Sequence, residues 1–348
     1  MKRFSLSLSL AFVPALLSLA HCGQVTPLAD VPPPPQGGTS IVLDASKLDE
    51  VTQACTAQET AFCDLRDGCT AAVANQVAYG SKDVCVQRNV QSCIAGFTAP
   101  DIGNTTAHVS GCASAFPLES CTDWWDGANV DACRSPEGAR PGGSECGINS
   151  QCASGFCSIG LTNACGTCAD TPRAGDPCTQ ASNCQYGMHC AAPAPGAFGV
   201  CVMRGVVGEA CDDLVPCEGG LACIGLSSGA SGVCRPAQTT AGAACDTESG
   251  PGCDSELYLY CTSGTCQPEL LVPPGEACGD LGPVGYGRCE AGGVCVFSDG
   301  LGTCVAPAAD GDPCDIRIGP PCLAPARCVT PEGSSSGTCW FPDPASCQ

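Results

Sequence analysis

Thirty-five cysteines are the most numerous chemistry-bearing residues of this 348-residue chain, against three histidines: His21, His108 and His189. Each reactive use of them needs a particular neighbourhood. A zinc site needs paired C-x2-C knuckles, often completed by histidine. One such pair is present, Cys165-Gly166-Thr167-Cys168. A redox dithiol of the same spacing needs a helix N-terminus in a βαβ setting to depress the thiol pKa. Here the pair sits among turn residues. His108 and His189 lie in different parts of the chain, with no nucleophile near them in a recognisable triad pattern. Asp310-Gly311-Asp312-Pro313-Cys314-Asp315 offers oxygens to a calcium ion but lacks the twelve-residue loop and closing glutamate of an EF-hand. Trp124-Trp125 is a possible sugar platform, and more readily a packing element in a segment poor in large apolar residues. Asn104-Thr105-Thr106 has the form of a glycosylation sequon.

Disulfide bonding is the use that fits so many thiols. A cysteine fraction near one tenth marks a stapled scaffold in an oxidising compartment. Gly 44, Pro 29 and Cys 35 make up close to a third of the residues, while aromatics are 5%. The chain is long enough for a sizeable core but lacks the side chains to fill one, so several small modules are expected. Its formal charge is −21, and −23 for residues 22–348. That balance argues against nucleic acid or anionic lipid as a partner bound by charge. No metal and no cofactor is expected.

Residues 1–21, "MKRFSLSLSLAFVPALLSLAH", have the layout of a secretory signal: two basic residues, then an apolar run too short to span a membrane. Two exits compete. Ser18-Leu19-Ala20 suits ordinary signal cleavage. Leu19-Ala20-His21-Cys22 resembles a bacterial lipobox, although His21 stands where a small residue is usual. Thirty-five is odd, and lipid on Cys22 would leave an even thirty-four. Residues 22–42 follow as a Pro-rich tether, with Pro32–Pro35 favouring an extended conformation. These features favour lipidation of Cys22.

Residues 43–135 read as a helical domain. Leu48, Val51, Cys55, Phe62 and Leu65 share a helical face, interrupted by Gln58, with Ser46 as the expected N-cap. A second helix is expected after Ser81, with Val86, Val90, Cys93 and Phe97 on one face. A third runs around Thr106 to Phe116, and a short fourth lies around Cys121. The eight cysteines here, Cys55, Cys63, Cys69, Cys85, Cys93, Cys112, Cys121 and Cys133, can close their own bridges.

Residues 136–340 read as six repeats. Gly-x-x-Cys recurs at Cys146, Cys178, Cys211, Cys245, Cys278 and Cys314, at steps of 32, 33, 34, 33 and 36 residues. Gly-x-Cys closes each unit at Cys168, Cys201, Cys234, Cys266, Cys304 and Cys339. Between them lie Cys152 and Cys157, Cys184 and Cys190, Cys217 and Cys223, Cys253 and Cys261, Cys289 and Cys295, and Cys322 and Cys328. Each unit is expected to be short β-hairpins and irregular loops, with glycines serving turns of positive φ. Four cysteines allow three connectivities, of which first-to-third with second-to-fourth is the working choice. Cys165 is supernumerary in the first repeat, and Cys347 stands alone in the tail, residues 341–348. Parity pairs them across the array, unless Cys165 bonds locally and releases a neighbour to Cys347.

The signal, the helical eight-cysteine domain and the Gly-x-x-Cys…Gly-Leu-x-Cys…Gly-x-Cys units resemble cysteine-rich lipoproteins of the myxobacterial type. The "GLAC" ending at Cys223, the "GVC" at Cys234 and the "GTC" at Cys266, Cys304 and Cys339 are similar to the Dickkopf N-terminal cysteine-rich motif. The resemblance implies a small disulfide-rich fold and an extracytoplasmic, non-catalytic protein. It specifies a framework and carries no partner with it.

The leading expectation is thus a non-catalytic, lipid-anchored surface protein at the bacterial envelope that presents stapled repeats for structural or interaction purposes, with an unknown extracellular protein or glycan as partner. The alternative is a glycan- or protease-binding, inhibitor-like module, with the helical domain as head, the repeats as stalk, and residues 192–200 or 224–233 as candidate binding loops.

Overall fold

The computed structural model of the chain describes residues 41–347 apart from 128–129, 179–183, 186, 193–198, 228–229 and 299. The leader, Cys22 and the tether lie outside the described residues. So does most of the candidate loop 192–200.

The N-terminal part is helical: α1 (Ala45–Thr70), α2 (Val73–Tyr79), α3 (Lys82–Phe97), α4 (Thr106–Ala115) and α5 (Cys121–Trp125). The cap of α1 is Asp44 rather than Ser46. Its extended backbone lets the carboxylate accept from Lys47 N, and the Ser46 hydroxyl donates to the same group. Ser81 and Thr105 cap α3 and α4. The buried stripe of α1 is Val51, Cys55, Glu59 and Cys63, spaced four apart, so Glu59 takes the place expected for Gln58. Leu48 is exposed and Phe62 and Leu65 are half-buried. Helix α2 was not expected. The chain turns into it through Ala71 and Ala72, both at positive φ, with neither glycine nor proline to mark the break.

Four bridges staple these helices: Cys55–Cys93, Cys63–Cys85, Cys69–Cys121 and Cys112–Cys133. One small core gathers Val51, Ala54, Phe97 and Val109. A second gathers Cys63, Tyr79 and Cys85, and here Leu323 and Ala324 of the sixth repeat pack against it.

The six repeats share one plan. Repeats 1, 2, 3 and 6 are three-stranded antiparallel sheets with the third strand in the middle, as in Ala210–Cys211, Gly232–Pro236 and Leu221–Ile224. Repeat 4 keeps the hairpin Leu259–Thr262/Thr265–Pro268. Repeat 5 widens to five strands, adding Leu270–Val272, parallel to Tyr286–Cys289. All six bond first-to-third and second-to-fourth, as in Cys211–Cys223 and Cys217–Cys234. The two bridges stack closely. Sulfurs of Cys146, Cys152 and Cys157 lie within 4.8 Å of one another, and those of Cys278, Cys289 and Cys304 do likewise. Each repeat therefore has sulfur where a larger domain has leucine, and its buried set is mainly its cysteines.

The two glycine signatures have different causes. The glycine of Gly-x-x-Cys has φ between 83° and 90° in every repeat, a region that side chains disfavour. The glycine of Gly-x-Cys faces a neighbouring carbonyl: a Cβ on Gly337 would come within 2.0 Å of Val329 O, and one on Gly199 within 2.4 Å of Ala191 O. Repeat 4 departs from this, using Gly264 at φ 78° as its hairpin turn.

Cys165 bonds to Cys347 across a separation of 182 residues, with Cα atoms 5.5 Å apart. The array is therefore a closed covalent circuit. It is no stalk either, because most repeats are fastened to the helical domain.

Candidate functional site

The groups that could do chemistry are largely consumed in holding the molecule together. Cys165 and Cys168 bond to different partners, Cys347 and Cys152, so the C-x2-C pair is not a redox couple. The clustered sulfurs of each repeat are half-cystines rather than thiolates, and none is free for zinc. All thirty-four cysteines from Cys55 to Cys347 are paired.

Arg88 of α3 is the firmest anchor. It is 8% exposed, binds both carboxylate oxygens of Asp310 and donates to Leu323 O at 2.8 Å and Ala324 O at 3.1 Å. The Phe341 ring covers it, with its centroid 4.8 Å from the guanidinium carbon. Asp310 is thereby removed from the candidate calcium loop. Asp315 of that loop turns instead to Arg317 N, Ile318 N, Ser335 and Ser336, and these bonds hold its carboxyl well below the usual range.

Arg140 is the second anchor. Its Nε donates to Asp101, and its Nη1 donates to Glu145 O at 2.6 Å and Cys347 O at 2.7 Å. One guanidinium thus joins the α3–α4 loop, repeat 1 and the tail beside the Cys165–Cys347 bridge. Backbone bonds reinforce it, from Gly103 N to Ser150 O and from Ala139 N to Asp101 O.

Repeat 3 meets the end of α5. Asp126 accepts from Gly219 N at 2.8 Å and lies 3.8 Å from Arg204. The Trp125 Cβ packs against Gly219. Trp124 and Trp125 contact each other at 4.4 Å, and the Arg66 guanidinium lies over Trp124, Phe62 and Tyr79. Both tryptophans therefore serve packing. Glu256 of repeat 4 accepts from Gly220 N at 3.0 Å, and burial pushes its carboxyl up. Tyr258, Tyr286 and the Arg288–Glu269 pair join repeats 4 and 5. Repeat 5 docks on α2 through Ala291 N to Gln76 O at 2.8 Å and Gly292 N to Val77 O at 2.7 Å.

His108, in α4, and His189, in the strand Met188–Ala191, stay in separate modules. Burial, with Arg204 nearby, lowers the His189 pKa. In the candidate loop 224–233, Ile224 pairs with Val233 and Ser227 with Ala230, while residues 228–229 lie outside the described residues.

Sequence reasoning missed two features. Glu59 is 8% exposed, one turn from Cys55 and one turn from Cys63, with Gln58 Nε2 donating to it. Desolvation pushes its carboxyl up to about 7. A groove of about 780 Å³ runs along the outer face of α1, past Gln53, Ala57, Ala61 and Leu65, to Pro117 and the Cys69–Cys121 bridge. Small residues at Ala57, Ala61 and Gly68 are its sequence signal. Among the described residues, no helix is long and apolar enough to cross a membrane.

Comparison with family models, curated proteins and solved structures finds no match for this chain. The bridges themselves carry the coarse reading. This is a cysteine-rich protein whose seventeen disulfides mark an oxidising, extracytoplasmic setting.

Proposed function

We propose that the protein is a lipid-anchored surface scaffold. In this reading Cys22 is acylated, the Pro-rich segment holds the folded part away from the envelope membrane, and the repeats present a fixed surface to an extracellular protein or glycan. It acts by binding and display rather than by turnover. It is of the myxobacterial cysteine-rich lipoprotein type, with Dickkopf-like repeats.

The observation that supports this reading best is the fastening of the repeats. One two-bridge module, used six times, is tied to the helical domain by Arg88, Arg140 and Asp126 and closed by Cys165–Cys347. Such fastening holds the docked modules in place before any partner arrives, which lowers the entropic cost of binding.

The anchor is tested by growing cells with a radioactive fatty acid and comparing wild type with Cys22→Ser. Label and membrane retention in wild type, both lost in the variant, are expected. An unlabelled wild-type protein that stays on the membrane as well as the variant does would overturn the anchor.

A further inference from the structure

We propose that Cys69–Cys121 is a thiol-exchange site: a reversible bridge, reached through the α1 groove, that a dithiol can open without unfolding the rest of the molecule.

Position singles it out. Among the thirty-four paired cysteines, all of them described residues, Cys121 is the one that is exposed; the others are buried or half-buried. Both Cys69 and Cys121 line the groove of about 780 Å³, whose other walls are mostly the short side chains of α1. A thiolate must reach a sulfur to attack it, so access governs which bridge exchanges first. Each bridge of the repeats is packed against a second bridge within its module, and none of its cysteines is exposed.

The reaction balances with one dithiol as reductant. Its first thiolate bonds to Cys121 Sγ, the S–S bond breaks, and Cys69 leaves with the electron pair and takes a proton. The second thiol of the reductant then attacks the mixed disulfide, and Cys121 leaves as a thiolate and is protonated in turn. One dithiol becomes a disulfide, and one protein disulfide becomes two thiols.

The consequence is local because of what surrounds the bridge. Cys112–Cys133 closes the segment that carries α5 at both ends, and Cys69–Cys121 tacks its middle to α1. Helix α5 is five residues long and buries none of them. The bridge ties it to α1, and the Arg66 guanidinium lies over its Trp124. Its last residue, Trp125, and the Asp126 that follows make the contacts with Gly219 and Arg204. Opening the bridge therefore frees the helical domain's hold on repeat 3 and leaves every repeat's own bridges closed.

The test uses the folded protein, limiting dithiothreitol and iodoacetamide, with peptides mapped by mass spectrometry. Cys69 and Cys121 are expected to carry about tenfold more label than any other pair in the early phase. The Gly219 amide is expected to exchange hydrogen about tenfold faster after reduction, and to recover on reoxidation. In the Cys69→Ser/Cys121→Ser variant the early labelling phase should vanish. Early labelling of Cys165 and Cys347 instead, or even labelling of all pairs, would overturn the exchange site. Selective labelling with an unchanged Gly219 rate would overturn its coupling to repeat 3.

Discussion

The helical domain and the repeats solve the same problem by opposite means. Each repeat encloses two stacked bridges of 11–17 residues' separation and buries little else. The helical domain spreads four bridges over separations of 21–52 residues and packs apolar side chains between them. It buries charge at Arg88 and Glu59 on its helices and at Asp126 after α5, and the repeat region does so at Arg140 and Asp254. The repeats are therefore locally determined and interchangeable in plan. Singular contacts with the helical domain, through Asp101, Arg88, Asp126 and α2, fasten repeats 1, 6, 3 and 5. Regularity and arrangement are carried by different parts of one chain.

Removing the long-range clasp should break the comparison most severely. The Cys165→Ser/Cys347→Ser variant is expected to keep the bridges of every repeat and to lose about 5 kcal/mol in the chain-entropy account of so long a loop. Urea denaturation followed by circular dichroism reads the loss. A variant as stable as wild type would show that the circuit is held by docking alone.

The next largest effect is expected at Arg88. Arg88→Met removes the partner of Asp310 and the donors to two carbonyls, and should cost about 3–5 kcal/mol, as breaking one side of a buried ion pair does. The loss should fall on the contact of repeat 6 with α3. Faster hydrogen exchange confined to that interface would sharpen the division between docking and module. Unchanged exchange there would refute it.

Glu59 gives a smaller effect with a distinctive pH signature. Its folded pKa, about 7, lies above the ordinary 4.5, so the folded state holds the proton more tightly. That contribution is complete below pH 4.5 and is lost as pH rises through 7. Glu59→Gln should therefore gain about 3 kcal/mol over wild type at pH 8 and little at pH 4. Melting temperatures across that range check it. Parallel curves would mean that Glu59 is not a desolvated acid.

The repeats were far more legible in the sequence than the domain that orders them. Glycine and cysteine register gave the six units, and parity singled out Cys165 and Cys347, because a stacked-bridge module leaves few other ways to satisfy its residues. Ser81, near which a helix was expected to begin, is the cap of α3. Helix α2 was hidden because the break that precedes it falls on alanines at positive φ, where local preference argues against a turn. The burial of Glu59 was hidden because an acid on a helix reads as solvated. Arg88 and Arg140 were hidden because their partners lie 222 and 207 residues away, in segments whose own pattern says nothing about the helices. The parallel strand Leu270–Val272 was invisible for a related reason: it joins a sheet that the next repeat builds.

The Cys165–Cys347 bond also changes what a cut in the backbone can do. Segments 169–177, 202–210, 235–244, 267–277 and 305–313 lie between repeats, and no bridge within a repeat spans them. All five fall inside the loop that Cys165 and Cys347 close. A protease that severs any one of them produces a new pair of chain ends but no separate fragment. The severed protein keeps its full mass and all its modules until a second cut falls between other repeats or the bond is reduced. For a molecule exposed to hydrolases outside the cell, that is a tolerance to first damage written into covalent topology.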